Sequence, residues 1–452
     1  MGIALVILAA GMGTRMNSDL PKVLHPIAHA PMLAHAMRAG AALDPARTIV
    51  VAGHGAEAVR AATREVDDTA EVVIQSEQLG TAHAVDQARA ALTGFDGDVV
   101  VLFADTPFLR PETLERMVAA RQAADLVVLG FDTSEPQARY GRLIMHGDRL
   151  ERIVEWKDAS EAERDISFCN SGLMACNAGQ LFGLIDGIGK ENAAGEYYLT
   201  DAVALASERG LTVTAVSCDE EETLGVNSRA DLAAADAVFQ DRARAEALAG
   251  GVTLMAPDTV YFAFDTVIGR DTVIEPNVVF GPGVTVESGA RLRAFSHFEG
   301  CHVSRGATVG PFARLRPGAE LAEDVHVGNF VEIKNADVAA GAKINHLTYI
   351  GDATIGARTN IGAGTITCNY DGVMKHRTTI GADAFIGSDT MLVAPVRVGD
   401  GAMTATGTVV TRDVDPGALA VARARQDNKP GFATKFFDRL KKLKSQRDKG
   451  SS

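Results

Sequence analysis

The chain has 452 residues, more than one ordinary hydrophobic core accommodates, so we expect two or three domains. A composition of 46% hydrophobic and 23% charged residues is typical of a globular protein and excludes a disordered one. The net charge of −14 argues against general nucleic-acid binding, which needs a basic face. The five cysteines form no CxxC pair, which indicates reduced thiols in a cytoplasmic protein, without a disulfide framework or a zinc site.

Residues 1–227 alternate short apolar runs with helical stretches. This alternation predicts an α/β domain with a mostly parallel sheet covered on both faces. The N-terminal apolar run is interrupted by Gly11 and Gly13, which indicates a buried strand rather than a signal peptide or a membrane span. The expected strands are Ile3–Leu8, Thr48–Val51, Val72–Ile74, Val99–Phe103 and Leu126–Phe131, and the expected helices include Pro31–Ala42, Thr81–Leu92 and Pro111–Ala124.

An alanine-rich segment, Ser228–Leu248, follows and stops at Gly250-Gly251. It predicts a long helix that is closed by glycine and connects two domains over residues 228–250.

The period of the sequence changes to six at Val267. Of the twelve positions taken every sixth residue from 267 to 333, nine are aliphatic, and the pattern resumes at Ile355 after a slip. We expect these positions to point inward, one for each face of a prism-shaped parallel β-helix over residues 251–425. A β-sandwich would alternate with period two instead. The repeat resembles the left-handed hexapeptide type, and the hand comes from that resemblance because parallel crossovers are normally right-handed.

Two segments depart from the repeat. Residues 367–377 form a polar insertion between regular coils, the kind of loop that often carries function. Residues 426–452 contain eight Lys/Arg and three Asp, which predicts a basic, flexible and solvated tail rather than a nucleic-acid arm. The FATKFFDRLKKLKS stretch of this tail has the composition of a short helix.

The first motif with chemical meaning is LAAGMGTRM at Leu8–Met16, a strand end followed by glycines. Glycines let backbone N–H groups approach phosphate oxygens, and the positive end of a following helix would assist. A glycine turn alone is as often plain strand–helix packing, and this one is neither a Walker A loop nor a complete dinucleotide fingerprint, since Met16 replaces the third glycine. Arg15 and Lys22 favour the phosphate-binding interpretation because they add two cations nearby.

LAAGMGTRM followed by LPKVLH resembles the signature of nucleotide-sugar pyrophosphorylases, which have a Rossmann-like nucleotidyltransferase domain. Over residues 3–425 the whole chain resembles the bacterial bifunctional N-acetylglucosamine-1-phosphate uridyltransferase/glucosamine-1-phosphate acetyltransferases. The resemblance implies two steps of cell-wall precursor synthesis. Acetyl-CoA would acetylate glucosamine 1-phosphate, and UTP would then convert N-acetylglucosamine 1-phosphate into a UDP-sugar and pyrophosphate.

For the front domain the resemblance implies a nucleotide site, a Mg²⁺ site and a sugar site. Arg15 and Lys22 would neutralise the phosphates, and Asp105 and Asn227 would bind Mg²⁺. The resemblance assigns the nucleotide to Leu8, Ala9, Ala10, Gly11 and Lys22, and its uracil base to Gln75, Gly80 and Thr81. It assigns the sugar to Gly141, Glu155 and Asn170, with Gly195–Asp201 on the sugar side, and it includes Asn227 among the substrate-binding residues as well as the metal ligands.

Each of these residues also has an ordinary structural role open to it. Asp105 follows a strand and Asn227 precedes a helix, so either one is a candidate helix cap. A carboxylate with one amide nevertheless suits Mg²⁺, which takes its other ligands from water and phosphates. Ala104 stands where we expect glycine, and its methyl group would crowd a nucleotide that lies against it.

For the β-helix the resemblance assigns His346 as general base. An attacking amine must lose a proton, and an imidazole that titrates near neutral pH can accept it. We expect Glu332 to orient the imidazole, while Arg316 and Lys334 match a sugar phosphate by charge. The resemblance assigns glucosamine 1-phosphate to Arg316, Lys334, Tyr349 and Asn360, and acetyl-CoA to Ala363, Ser388, Thr406 and Arg423, with Asn369 and Tyr370 on the inserted loop. Thr406 replaces an expected alanine, and Asn345 replaces an expected glycine.

Two alternatives differ in how much chemistry the chain performs. A monofunctional sugar-1-phosphate nucleotidyltransferase would use the β-helix as a scaffold, and loss of His346 or of the inserted loop would favour it. A non-enzymatic subunit with the same layout, as in translation initiation, would have lost Arg15, Lys22 or Asp105. All of these residues are present. From the resemblance we also expect a homotrimer with the acetyl-transfer sites between subunits, and no nucleic-acid partner.

Overall fold

The computed structural model describes residues 2–133, 135 and 138–449, and the chain divides into two compact units. The first unit runs to Ala249 and includes Tyr261–Thr266 and Phe280–Pro282. The second comprises Gly250–Val260, Val267–Val279 and the chain from Gly283. In the described part of the chain, no helix combines the length and the apolar composition needed to cross a bilayer.

Strands and helices alternate along the first unit. The strands are β1 Ile3–Ala9, β2 Pro26–Ile27, β3 Ala30–Pro31, β4 Arg47–Ala52, β5 Glu71–Ile74, β6 Asp98–Phe103, β7 Leu126–Asp132, β8 Arg142–His146, β9 Arg149–Val154, β10 Phe168–Asn177 and β11 Val213–Cys218. The helices are α1 Met32–Ala41, α2 Ala56–Val66, α3 Thr81–Asp86, α4 Pro111–Ala120, α5 Glu161–Arg164, α6 Ala178–Ile185, α7 Asp201–Glu208 and α8 Arg229–Ala249.

Nine of these strands form one sheet, in the order β11-β7-β10-β6-β1-β4-β5 with β8 and β9 attached at β10. Pairing is parallel from β5 to β6 and between β7 and β11, while β10 runs antiparallel to both neighbours. Alternate residues of β1 supply two cores, because side chains of a strand point to opposite faces. Val6 packs with residues of α6 and α7, whereas Ile7 packs with residues of α1 and α4. The prediction of a mostly parallel sheet covered on both faces is therefore confirmed.

All five predicted strands exist with small changes at their ends, and the three predicted helices exist. Two helices are shorter than predicted: α3 ends at Asp86 instead of Leu92, where turns replace its second half, and α4 ends at Ala120 instead of Ala124. One expectation for the loop after β1 is wrong. No helix follows the glycines directly, since Thr14–Met16 forms a single 3₁₀ turn and the first α-helix begins at Met32. Gly13 and Asn17, on either side of that turn, are in left-handed conformations that end the helical geometry.

The long helix expected at 228–250 is α8, and it groups with the first unit. Its N-terminus is capped reciprocally, since Asp231 N–H donates to Ser228 Oγ at 3.2 Å and Asp231 Oδ2 accepts Ser228 N–H at 2.9 Å. Its buried face meets the body through Ala235, which packs in a cluster with Ile27 and Phe108.

The second unit is a column of short strands that pair in parallel about one coil apart. The strands are β12 Thr253–Leu254, β13 Val267–Ile268, β14 Val273–Ile274, β15 Val279–Phe280, β16 Thr285–Val286, β17 Arg291–Leu292, β18 His297–Phe298, β19 Cys301–Val303, β20 Thr308–Val309, β21 Arg314–Leu315, β22 Ala319–Leu321, β23 His326–Val338, β24 Lys343–Ile355, β25 Asn360–Ile361, β26 Ile366–Cys368, β27 Thr378–Ile380, β28 Phe385–Ile386, β29 Met391–Val393, β30 Val396–Val398, β31 Met403–Thr404, β32 Val409–Val410 and β33 Leu419–Ala420. This is a parallel β-helix with the hexapeptide repeat typical of the left-handed form.

The predicted inward frame is wrong by one residue in the first two coils. Val267 is 58% exposed, and the buried series there is Ile274, Phe280, Val286, Leu292 and Phe298. The two frames join because the step from Phe298 to Val303 has five residues instead of six, so that Val303, Val309 and Leu315 are inward as predicted.

Three columns of residues with positive φ mark the corners of the coils. Leu347 has φ 51° and follows the face of Ile344, while Asn335 has φ 46° and follows the face of Ile333. The insertion lengthens one coil, since Ile355 pairs with Ile380, 25 residues away, whereas Ile380 pairs with Val398, only 18 residues away.

The tail contains helix α9, Phe432–Lys449, which is longer than the stretch singled out in the sequence. Its described side chains are exposed.

Candidate functional site

The loop after β1 brings two segments of the first unit close together. A Cβ at Gly13, whose φ is 59°, would lie 2.6 Å from Lys22 Cβ, so any side chain there would displace Lys22. A Cβ at Gly11 would meet nothing within 4 Å, so the loop is open on that side.

A cavity of about 280 Å³ opens beyond this loop, at the carboxyl ends of the parallel strands where ligands bind in such sheets. Val23, Gln78, Ala84 and Phe103 contribute to its wall without having been predicted, and Glu196 contributes from the predicted segment Gly195–Asp201. The rest of the wall consists of predicted residues: Leu8, Ala9, Ala10, Gly11, Lys22, Gln75, Gly80, Thr81 and Asp105.

The Lys22 ammonium joins the two residues expected to bind a metal. It forms a close ion pair with Asp105 Oδ2 and donates to Asn227 Oδ1 at 3.1 Å. A carboxylate oxygen and an amide oxygen therefore already converge on one cation. Hard oxygen donors with room left for phosphate and water are what Mg²⁺ prefers, so this donor set fits the expected ion.

Helix capping does not account for Asn227 or Asp105. The cap of α8 is formed by Ser228 and Asp231, and the backbone N–H of Asn227 also donates to Asp231 Oδ2 at 2.9 Å. Hydrogen bonds from these groups outweigh the effect of burial and lower the pKa of Asp231. Asn227 is thus held by its backbone, which leaves its side chain directed at Lys22. Asp105 is not a cap either, because the next helix begins only at Pro111.

The predicted base-binding residues are fixed by hydrogen bonds. The buried Gln75 amide donates to Gly80 O at 3.2 Å and contacts His83 Nδ1 at 3.0 Å. Thr81 Oγ1 accepts the Leu199 N–H at 2.9 Å. A Cβ at Gly80 would lie 2.4 Å from Tyr197 O, so glycine is required for the segments around 80 and 197 to pack.

The predicted sugar-binding residues also lie together, outside the cavity lining. A Cβ at Gly141 would lie 3.6 Å from both Asn170 Cβ and Glu155 Cδ. Thr200 Oγ1 donates to Glu155 Oε1 at 3.2 Å, which ties the expected wall segment Gly195–Asp201 to this group. Burial raises the pKa of the Glu155 carboxyl, and the charge of Asp158 acts in the same direction.

Two predicted features lie away from the cavity. Arg15 is on the exposed 3₁₀ turn, where its charge helps to lower the pKa of Asp231, and it does not line the cavity wall. Ala104 is fully buried and is not part of the cavity wall, so its methyl group does not crowd the cavity.

In the second unit, His346 lies on β24 beside Asn329 on β23, one coil earlier. His346 Nδ1 and Asn329 Oδ1 are 2.8 Å apart. An amide oxygen only accepts hydrogen bonds, so Nδ1 carries the proton and Nε2 is left with a lone pair. Within one chain, Glu332 does not orient this imidazole as expected, since Glu332 Oε1 accepts from Arg316 Nη1 at 2.9 Å.

The second group of polar side chains in this unit is a cluster of cations around Asp352. Lys334 Nζ lies 3.8 Å from Asp352 Oδ2, and its pKa is lowered, chiefly by Lys375 and then by burial. Burial would raise the pKa of Asp352, but hydrogen bonds from Asn335 and Asn369 and the charge of Lys334 lower it. Of the predicted residues, Arg316, Lys334 and Asn369 belong to this cluster, while Lys375 was not predicted. The polar insertion was the available signal for Lys375.

The residues predicted for acetyl-CoA form a column on successive coils. Ala363 O accepts Asp389 N–H at 2.7 Å, and Ser388 O accepts Gly407 N–H at 2.8 Å. Thr406 O accepts from Arg423 Nη1 at 2.7 Å, which adds the exposed Arg423 to the column. Each of the first three follows an inward residue by two positions, as His346 follows Ile344, so the column continues the line of His346.

The remaining predicted residues occupy different places. Asn360 pairs with Lys343 on β24, and Tyr349 pairs with Glu332 across β23 and β24. Tyr370 is 61% exposed on the inserted loop, where its hydroxyl donates to Gly372 O at 2.6 Å. Asn345, which replaces an expected glycine, has a buried side-chain oxygen without a partner among the described residues.

His346 and the cation cluster lie at different corners of one chain. His346 precedes the corner residue Leu347, and Lys334 precedes Asn335, which marks the next corner along the coil. Within the described chain, no hydrogen bond or ion pair connects the two groups.

Two family comparisons agree with this division. Residues 5–168 match the MobA-like NTP transferase domain, and residues 265–300 match the bacterial transferase hexapeptide family of six repeats.

Similar proteins extend over the whole chain. The bifunctional protein GlmU of Ruegeria sp. (strain TM1040) is 74% identical over 450 residues, covering 100% of this chain and 100% of that protein. The protein of the same name from Ruegeria pomeroyi is 75% identical over 449 residues, covering 99% and 100%, and that from Roseobacter denitrificans is 64% identical over 451 residues, covering 100% of each.

Proposed function

Since the chain belongs to the family of bifunctional GlmU proteins, we propose that the two groups of residues described above are its two active sites. The chain is a bifunctional transferase, with UDP-N-acetylglucosamine pyrophosphorylase and glucosamine-1-phosphate N-acetyltransferase activities. What remains to be assigned is the role of each residue, the metal and the assembly.

In the first unit, a phosphate oxygen of N-acetylglucosamine 1-phosphate attacks the α-phosphorus of UTP. A new P–O bond forms and the bond to the β-phosphate breaks, which releases pyrophosphate. No covalent nucleophile is needed, so catalysis depends on positioning and charge neutralisation. Lys22 supplies a cation at the end of the cavity, while Gln75 and Gly80 hold the base. The convergence of Lys22, Asp105 and Asn227 is the observation that carries this assignment.

Asp105 and Asn227 would hold Mg²⁺, which would neutralise phosphate charge when bound. The two side chains already present their oxygens to the Lys22 ammonium. Lys22 would then turn toward the phosphates, because it cannot keep both hydrogen bonds beside a second cation. Gly141, Glu155 and Asn170 would hold the sugar.

In the second unit, the amine of glucosamine 1-phosphate attacks the carbonyl carbon of acetyl-CoA. A C–N bond forms, the C–S bond breaks, and coenzyme A leaves as its thiol or thiolate. The Nε2 lone pair of His346 accepts the proton that the amine loses, and Asn329 fixes the ring in the required tautomer. Arg316, Lys334 and Lys375 would bind the sugar phosphate, and Ala363, Ser388, Thr406 and Arg423 the cofactor.

A homotrimer would complete the acetyl-transfer site. His346 and Lys334 are at different corners of one chain. One copy's His346 would therefore lie beside the Lys334 of a neighbouring copy. Beside His346, an exposed ridge of Phe295, Phe312, Phe330 and Leu347 supports this assembly, because these side chains are 46–64% exposed and the phenyl rings stack at 4.9 and 5.2 Å. The five free cysteines support a cytoplasmic location.

The test is one incubation of the purified chain with glucosamine 1-phosphate, acetyl-CoA, UTP and Mg²⁺, read by mass spectrometry for UDP-N-acetylglucosamine. The product should form, and it should disappear when acetyl-CoA is left out. His346→Ala should abolish formation of UDP-N-acetylglucosamine unless N-acetylglucosamine 1-phosphate is supplied. Lys22→Ala should instead leave N-acetylglucosamine 1-phosphate as the final product. If the unaltered chain makes product only from supplied N-acetylglucosamine 1-phosphate, the β-helix is a scaffold and the role of His346 is wrong.

A further inference from the structure

The C-terminal helix α9 has one apolar side that nothing in the described chain covers. Phe432, Phe436, Phe437, Leu440 and Leu443 are 44–60% exposed. Their spacing places them along one side of a helix. The rings of Phe432 and Phe436 stack at 6.2 Å, and those of Phe436 and Phe437 meet edge to face at 5.9 Å, so they form one continuous apolar strip.

The other sides of the same helix are strongly basic. Lys435, Lys441 and Lys442 lie on these sides, and Arg439 and Lys444 lie beside the strip. None of the five forms an ion pair with a carboxylate in the described part of the chain. From residue 426 onward there are eight Lys/Arg and three Asp, a net charge of +5, within a chain whose total is −14. The remainder therefore carries −19, and the tail is the part of the protein that an anionic surface attracts.

We propose that α9 binds the surface of an anionic lipid bilayer, with its apolar strip inserted at the boundary between headgroups and acyl chains. An amphipathic helix with aromatic and leucine side chains on one side and lysines and arginines on the others has the composition of such interfacial helices. α9 lies along the surface, since it lacks the apolar composition needed to cross a bilayer.

Charge and exposure favour a bilayer over the other occupants. Two copies of α9 packed strip to strip would bring their cations close together, which opposes self-association. A nucleic acid would neutralise the cations but would leave the strip of three phenylalanines and two leucines exposed. An anionic bilayer satisfies both sides of the helix.

The experiment is flotation of the full-length chain with vesicles. With phosphatidylethanolamine vesicles that contain about one third phosphatidylglycerol, in about 0.1 M NaCl, the floated fraction should be at least about fivefold larger than with phosphatidylcholine vesicles. The variant Phe436→Gln/Leu440→Gln should lose most of this binding. The matched control, Thr434→Gln/Ser445→Gln, places the same residue type on the opposite side and should float like the unaltered chain.

Four results would overturn the proposal. The first is that the full-length chain does not float with the anionic vesicles. The second is that the Phe436→Gln/Leu440→Gln variant floats as well as its control, which would mean that the strip does not insert. The third is loss of a subunit contact by this variant alone in sedimentation, and the fourth is displacement of the chain from the vesicles by a short DNA duplex; either would assign the helix to a different occupant. Unchanged uridylyl transfer by both variants would show that they remain folded.

Discussion

The geometry of His346 depends on a neighbour one coil away. Without the Asn329 side-chain oxygen, 2.8 Å from Nδ1, the imidazole can rotate and exchange its tautomers. We expect Asn329→Ala to lower kcat for acetyl transfer about tenfold, less than loss of the base itself, which costs about 10²–10⁴-fold. Glu332→Gln, which alters the residue bound to Arg316, should change KM for the sugar phosphate instead. Equal losses of kcat in these two variants would contradict the assignment.

Lys375, on the inserted loop, contributes charge to the cation cluster around Asp352. It is the largest influence that lowers the pKa of Lys334, so the two ammonium groups are close enough to share an anion. Lys375→Ala should raise KM for glucosamine 1-phosphate about tenfold with little change in kcat, since a charge-assisted hydrogen bond contributes about 1.5–3 kcal/mol. Steady-state kinetics would measure this, with Arg412→Ala, an exposed cation of the same unit, as the control. An unchanged KM would remove Lys375 from the site.

Replacing Glu155 by glutamine should stabilise the folded chain and weaken the binding of N-acetylglucosamine 1-phosphate. Burial raises the pKa of its carboxyl in the folded chain. The protonated carboxyl therefore contributes to stability at pH values below the unfolded pKa, and this contribution is lost as pH rises through the folded pKa. Glu155→Gln keeps the acceptor for Thr200 and removes a buried charge. We expect a higher melting temperature at pH 8, a smaller difference at pH 5, and a KM for N-acetylglucosamine 1-phosphate raised about tenfold. Glu151→Gln, which alters an exposed carboxylate on β9, the strand that ends just before Glu155, should leave both unchanged.

The sequence predicted catalytic residue types better than their partners. Motif strings identified Lys22, Asp105 and Asn227, and the structure brings these three together. The partner of His346 was assigned to Glu332 because a carboxylate close in sequence to Lys334 was the obvious candidate. The actual partner, Asn329, lies 17 residues before His346, and this separation becomes meaningful only when the coil length is known.

The stacking of coils in the β-helix imposes glycine where backbones touch. A Cβ at Gly387 would lie 2.5 Å from Thr404 O and 2.7 Å from Thr406 N, and backbone atoms cannot move aside as a side chain can. We expect Gly387→Ala to destabilise the second unit by about 2 kcal/mol and to abolish acetyl transfer while uridylyl transfer continues. Gly407→Asn is the matched control, because its Cβ meets nothing and asparagine tolerates a φ of 75°. Calorimetry and the two assays would decide, and a fully active Gly387→Ala would show that the coils can separate there.

The hexapeptide period was readable from sequence, but its phase was not. Val273-Ile274 and Val279-Phe280 each place two apolar residues side by side, so either member fits a six-residue frame. Burial selects the second member, and the five-residue step before Val303 then restores the predicted frame. The pattern of apolar residues does not reveal this shortened step, because the missing residue falls in the turn near Gly300 and not in a strand.

At the scale of the whole molecule, the separation of His346 from Lys334 implies that each acetyl-transfer site takes the two residues from different copies. The prediction can be tested by mixing His346→Ala chains with Lys334→Ala chains after subunit exchange. Each variant alone is inactive in acetyl transfer, since every site lacks one group.

In randomly mixed trimers, a working site needs His346 from a Lys334→Ala chain and Lys334 from a His346→Ala chain. This combination occurs at about one quarter of the sites in an equimolar mixture, so acetyl transfer should recover to about 25% of that of the unaltered chain. Mixing either variant with the double variant His346→Ala/Lys334→Ala controls for exchange and should recover nothing. Absence of recovery in trimers shown by sedimentation to have exchanged would place both groups of each site in a single chain.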